Sequence, residues 1–185
     1  PSRRNNRTAD RPLSLDEIRK APHRGKGRKV VKILIPLDGS AMAETALKKA
    51  VELAKQNGGA RLVLGRAVDP ATLLGGFAAA QVSAINGAAT YLENVAERLR
   101  QEGIDLVGRS VWYAAAGPAI VEAARTLKPD LIVMVSSGAD RLIPGPVAQF
   151  VLHKTRMPIV LVTAEAPSET PAGRTIAPEA AMVHG

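Results

Sequence analysis

The sequence contains no cysteine. Disulfides, thiolate metal sites and a cysteine nucleophile are thereby excluded. Aromatic residues make up only 3% of the chain although 46% is hydrophobic, so a core must be assembled from Val, Ile, Leu and Ala. No apolar run approaches the roughly 20 residues that a membrane helix needs. The opening PSRRNNRTADRPLS lacks the apolar centre of a signal peptide. The expectation is a cytoplasmic protein with no membrane partner.

Catalytic constellations are also missing. Of the three histidines, His23 and His184 lie near the chain ends. His153 is followed by Lys154 and Arg156 and reads as a surface residue rather than a base. Ser40 has no evident histidine partner, and no Gly-x-Ser-x-Gly elbow is present. Asp38 and Asp69 are isolated carboxylates, a weak basis for a metal site. The chain reads as a binding scaffold and not as an enzyme.

The charge that is present is unevenly placed. The net charge is +8, yet residues 1–29 hold ten Lys/Arg against three acids, leaving +7 there and +1 for the remainder. The first 29 residues read as a basic, mostly disordered tail. Within it, Ser14-Leu-Asp-Glu17 has the capping-box pattern of a short helical start. The tail could bind nucleic acid or another acidic partner, but no aromatics interleave its charges, so nucleic acid is not the expected partner. Residues 165–185 read as a second, low-complexity disordered tail.

Between the tails, residues 30–164 read as one folded domain. Val30–Leu37 is nearly continuous in apolar residues, as a strand covered on both faces would be. Asp38-Gly39-Ser40 makes a turn with Ser40 as helix N-cap. Ala43, Ala46, Leu47, Ala50 and Ala54 recur at helical spacing until Gly58-Gly59 stops the helix. A second strand covers Arg61–Val68, followed by a loop over residues 69–80. A helix carries Val82, Ile85, Ala89, Leu92, Ala96 and Leu99 on one stripe. A third strand covers residues 105–114, a helix follows Gly117-Pro118, and a fourth strand covers Leu131–Val135. A helix over Val147–Thr155 and a strand over Pro158–Thr163 complete the domain.

Strict β-α alternation predicts an α/β fold, a single doubly wound parallel sheet of five strands with helices on both faces. The strand order is either flavodoxin-like or 3-2-1-4-5. In both, ligands bind beyond the carboxyl ends of the strands at the switch point. There Asp38-Gly39-Ser40 meets the loop Ser136-Ser137-Gly138 to Gly145-Pro146. Asp38 could accept hydrogen bonds from a ribose or a base, or simply cap the turn and the helix start. Ser136 and Ser137 could donate to a phosphate, or belong to an ordinary turn. Gly138 and Gly145 could let backbone approach a ligand, or only supply a positive φ. The loop is not a P-loop, since no Gly-Lys-Ser/Thr follows, and the first βα turn lacks a dinucleotide fingerprint.

Ile33-Leu-Ile-Pro-Leu-Asp-Gly-Ser40, Ala67-Val-Asp-Pro70, Gly117-Pro-Ala119 and Met157-Pro-Ile-Val-Leu-Val162 resemble the universal stress protein (UspA-like) family. The resemblance spans residues 30–164, and its first block is the most specific. It implies the order 3-2-1-4-5 and non-enzymatic roles in stress response and regulation. It also implies a homodimer through the last strand, Pro158 to Thr163, and a regulatory protein partner. One branch of the family binds ATP and another does not, so the implied cofactor is an adenine nucleotide, AMP or ATP, or none. The implied site comprises Pro36, Leu37, Asp38 and Ala67 on the adenosine side. Met134, Ser136, Ser137, Gly138, Gly145 and Val147 complete it.

The ATP-binding branch has a loop of Gly, two residues, Gly, nine residues, Gly, then Ser or Thr. Here the first glycine position is Val135 and the last position is Pro146, with only six residues between Gly138 and Gly145. Proline has neither an amide N–H nor a hydroxyl to offer a phosphate. The expectation is a degenerate phosphate loop with weak or absent ATP binding. A sensor of AMP or a cyclic nucleotide in the same pocket is the alternative.

Overall fold

A computed structural model describes residues 30–73, 78–136 and 144–163. The expectations for both tails, and for Ser137 and Gly138, lie outside these residues. Five strands form one parallel sheet: β1 (Val31–Pro36), β2 (Ala60–Ala67), β3 (Val107–Trp112), β4 (Leu131–Ser136) and β5 (Ile159–Thr163). Their order is β3-β2-β1-β4-β5, which settles the choice left open by alternation alone. Helices α1 (Ala41–Gln56), α2 (Ala78–Gln101), α3 (Ala116–Leu127) and α4 (Pro146–Lys154) connect them, with a short 3-10 turn at Pro70–Leu73.

The central strand explains the texture of the sequence. Ile33, Leu34 and Ile35 of β1 are fully buried, with alternate side chains entering opposite cores. Ile33 and Ile35 join α1 and α2 on one face, while Leu34 joins α3 and α4 on the other. A strand covered on both faces has no polar positions to alternate, hence the continuous run. The register pairs Ile35 with Leu64 on β2 and Ile33 with Leu131 on β4. At the foot of the sheet, Lys32 N–H donates to Asp130 Oδ2 (2.9 Å) and Asp130 N–H donates to the Lys32 carbonyl (2.8 Å). Lys32 Nζ also donates to the Leu127 carbonyl at 2.8 Å, placing a cation at the carboxyl end of α3.

Helix α1 is capped as its sequence implies. Ser40 Oγ accepts from Ala43 N–H at 3.1 Å. Its buried stripe of Ala43, Ala46, Leu47, Ala50, Val51 and Ala54 is mostly alanine, so the helix seats closely on the sheet. Arg98 of α2 grips Glu44 of α1 through two hydrogen bonds of 2.7 and 3.2 Å. The Arg98 bond holds the Glu44 carboxyl below its usual range.

Three helix starts differ from expectation. Helix α2 begins at Ala78 rather than near Val82, because Ala78-Ala79-Ala80 favours helix without leaving a hydrophobic stripe. Helix α3 begins at Ala116, so Gly117 and Pro118 lie inside its first turn. Proline is tolerated there because the first N–H groups of a helix have no intrahelical partner. Helix α4 includes Pro146 as its first residue.

Candidate functional site

The carboxyl ends of β1, β2 and β3 are laced beyond the sheet ladder. Leu37 N–H donates to the Gly65 carbonyl and Val68 N–H to the Trp112 carbonyl, each at 2.7 Å. Immediately after β1 the chain must turn sharply into α1. Gly39 takes φ of +87°, a left-handed conformation that glycine adopts without a Cβ clash. Asp38 Oδ1 accepts from Ser40 N–H at 2.8 Å, so one carboxylate oxygen is tied to the turn. The Asp38 side chain is exposed.

Behind this turn lies Arg66 of β2. A Cβ built on Gly39 would sit 3.1–3.2 Å from Nη1, Cζ and Nη2 of the guanidinium together, so the group lies flat against the turn. Its Cζ is also 5.0 Å from the centroid of the Tyr91 ring on α2, within cation–π range. Burial pushes the Tyr91 hydroxyl pKa up. Its oxygen is buried with no hydrogen-bond partner among the described residues.

In front of the turn is a cavity of about 280 Å³. Pro36, Leu37, Asp38, Ala67, Met134 and Val147 all line it, so six of the site residues expected from sequence converge. Val135, at the position where a glycine was expected to admit ligand, lines it too. Ala116 and Val147 bring the starts of α3 and α4 to the same space. Neither helix has a side-chain cap on its first turn, and Pro146 has no N–H to give.

Two expected residues are not in the lining. Ser136 is buried at the end of β4, opposite Thr163 of β5. Val135 and Met134, one and two residues earlier on the strand, line the cavity instead. Gly145 is the N-cap of α4 with φ of −65°, ordinary extended backbone. Its neighbour Pro144 is held by Gln149, whose Nε2 donates to the Pro144 carbonyl at 2.7 Å.

Sequence reading missed Gly65, Trp112, Ile120, Ser40, Met42 and Ala43 as lining residues. Trp112 could have been flagged as the only tryptophan, at the carboxyl end of a strand. Among the described residues, no group of three or more His, Asp or Glu side chains could hold a metal ion. No helix among them is long and apolar enough to cross a membrane.

A parallel sheet of order 3-2-1-4-5 with a small, mostly apolar cavity at its switch point defines a doubly wound α/β fold. The universal stress protein family model matches residues 30–163, and the chain belongs to that family. Three solved structures show the same fold. The first is the hypothetical protein MJ0577, 24% identical with a TM-score of 0.62, matched over 74% of this chain and 98% of that one. The second is a universal stress protein in complex with cAMP, 20% identical with a TM-score of 0.57, matched over 75% and 100%. The third is a universal stress protein family protein from Arabidopsis thaliana with AMP bound, 15% identical with a TM-score of 0.57, matched over 75% and 97%. Among curated protein sequences none is significantly similar.

Proposed function

We propose that the chain is a non-enzymatic regulatory protein of the stress-response type that binds an adenine nucleotide with one phosphate, AMP or cyclic AMP, in preference to ATP. The observation that carries this reading is the cavity itself. The adenosine-side residues Pro36, Leu37, Asp38 and Ala67 are assembled around it, whereas the helix start on its phosphate side opens with Pro146. The cavity volume of about 280 Å³ is close to the lower end of the roughly 300–1,000 Å³ typical of ligand pockets. Bound cAMP and AMP in two proteins of the same fold add support.

Asp38 has one oxygen on the turn and an exposed carboxylate beside the cavity, placing it to accept from a ribose or base. Asp38→Ala is expected to weaken AMP binding by at least tenfold in calorimetric titration, the loss of about one charged hydrogen bond. Equal affinity in the variant would remove Asp38 from the site.

The protein acts as a homodimer in this reading, with β5 paired to its copy. Among the described residues, strand β5 is an edge, bonded to β4 alone. Ile159 and Leu161 pack against one core while Val160 and Val162 pack against the other. An apolar edge of this kind invites a second strand. Sedimentation at micromolar concentration should give a dimer, and a monomer would refute the pairing.

A further inference from the structure

The single tryptophan of the chain, Trp112, lies at the end of β3, two strands from the Asp38 turn. Its indole reaches sideways over β2. A Cβ on Gly65 would fall 1.9 Å from Cη2, 2.3 Å from Cζ2 and 2.7 Å from Cζ3 of the indole. The outer rim of the benzo ring therefore fills the space that a side chain on β2 would take, and any residue but glycine at 65 would displace it.

The indole also borders a second space. An open cavity of about 470 Å³ runs along α3, walled by Pro118, Ala119 and Ala123 and by Tyr113 beyond β3. Among the described residues, Trp112 is the one that lines both this space and the candidate site. Its side chain, held over a glycine, borders both a small cavity and a larger one.

We propose that Trp112 determines which ligands the candidate site accepts. Resting on the nucleotide reading above, its indole supplies aromatic surface to the base and closes the cavity against bulky base substituents. Aromatic contact is sequence-tolerant because every base has a π face. The partition is what sets the size limit. Shortening residue 112 joins the two spaces and admits an apolar substituent into the cavity along α3.

The test uses the full chain and three ligands. AMP binding, measured by calorimetry, should be accompanied by a change in Trp112 emission. Trp112→Phe should keep AMP affinity within about threefold. Trp112→Ala should lose about tenfold for AMP, toward the low end for a base–aromatic contact. The alanine variant should bind N6-benzyl-AMP or 8-benzylamino-AMP at least tenfold more tightly than wild type does. Gly65→Ala, which evicts the indole without deleting it, should shift the emission of the free protein and weaken AMP binding. Circular dichroism and thermal unfolding establish that each variant is folded. If Trp112→Ala fails to fold, the phenylalanine and Gly65 variants and the emission change decide. AMP binding with unchanged Trp112 emission, or a folded alanine variant that binds AMP like wild type and gains neither analogue, overturns this assignment alone. No AMP binding to the wild type overturns both it and the nucleotide reading. Tighter binding of bulky analogues than of AMP to the wild type also overturns the partition.

Discussion

Replacing Pro146 with serine is expected to raise affinity for ATP by about ten- to a hundredfold, and for AMP by less. Pro146 is the first residue of α4, whose N-cap Gly145 has no side chain to offer. The start of a helix attracts phosphate because its first N–H groups lack intrahelical partners and carry the positive end of the dipole. Proline removes one of those donors. Serine restores the N–H and adds a hydroxyl, and hydrogen bonds to a charged group contribute about 1.5–3 kcal/mol each, or about one to two decades of affinity. The longer the phosphate chain, the more of it reaches the helix start, so ATP should gain more than AMP. Calorimetric titration of the variant checks this. An unchanged ATP dissociation constant would show that Pro146 is not what weakens triphosphate binding.

The second large effect concerns stability. Ile35→Ala should lower the free energy of unfolding by about 2–5 kcal/mol, the usual range for such a truncation in a packed core. Ile35 is fully buried in β1, paired with Leu64 and packed in the core that α1 and α2 cover. With so few aromatics, this core is built mostly from aliphatic side chains. Against a total stability of about 5–15 kcal/mol, the loss is a large share. Urea denaturation should show a lower midpoint at unchanged slope. The exposed Lys48→Ala should stay within about 0.5 kcal/mol. A change below about 1 kcal/mol for Ile35→Ala would contradict the packing described for β1.

Much of this architecture is legible in the residues alone. The run from Val30 to Leu37 marks a strand covered on both faces, and strict alternation of strand and helix marks a parallel sheet. Alternation does not fix the order of strands, because a flavodoxin-like crossover has the same local patterns. The motif around Asp38 resolves that order only through resemblance. Six of the expected site residues meet at one cavity because they all lie at the carboxyl ends of β1, β2 and β4 or at the start of α4. Ser136 does not line it although it shares a strand face with Met134; it is the last residue of β4, buried beside Thr163 of β5.

The role of Trp112 could not be read in advance. It depends on the register that pairs Gly65 with Ser110 and Ala67 with Trp112, so that a large ring on β3 finds an empty position on the next strand. Nothing local to Trp112 or to Gly65 states that pairing. The start of α2 was hidden for a different reason, since alanines carry helix propensity but no amphipathic stripe.

The most direct measurement of the central claim is calorimetric titration of the wild-type full chain with AMP and with ATP under the same conditions. A cavity with its adenosine side assembled and its helix start closed by Pro146 predicts a measurable dissociation constant for AMP and one at least tenfold weaker for ATP. ATP binding tighter than AMP, or no binding of either up to millimolar concentration, would contradict the account.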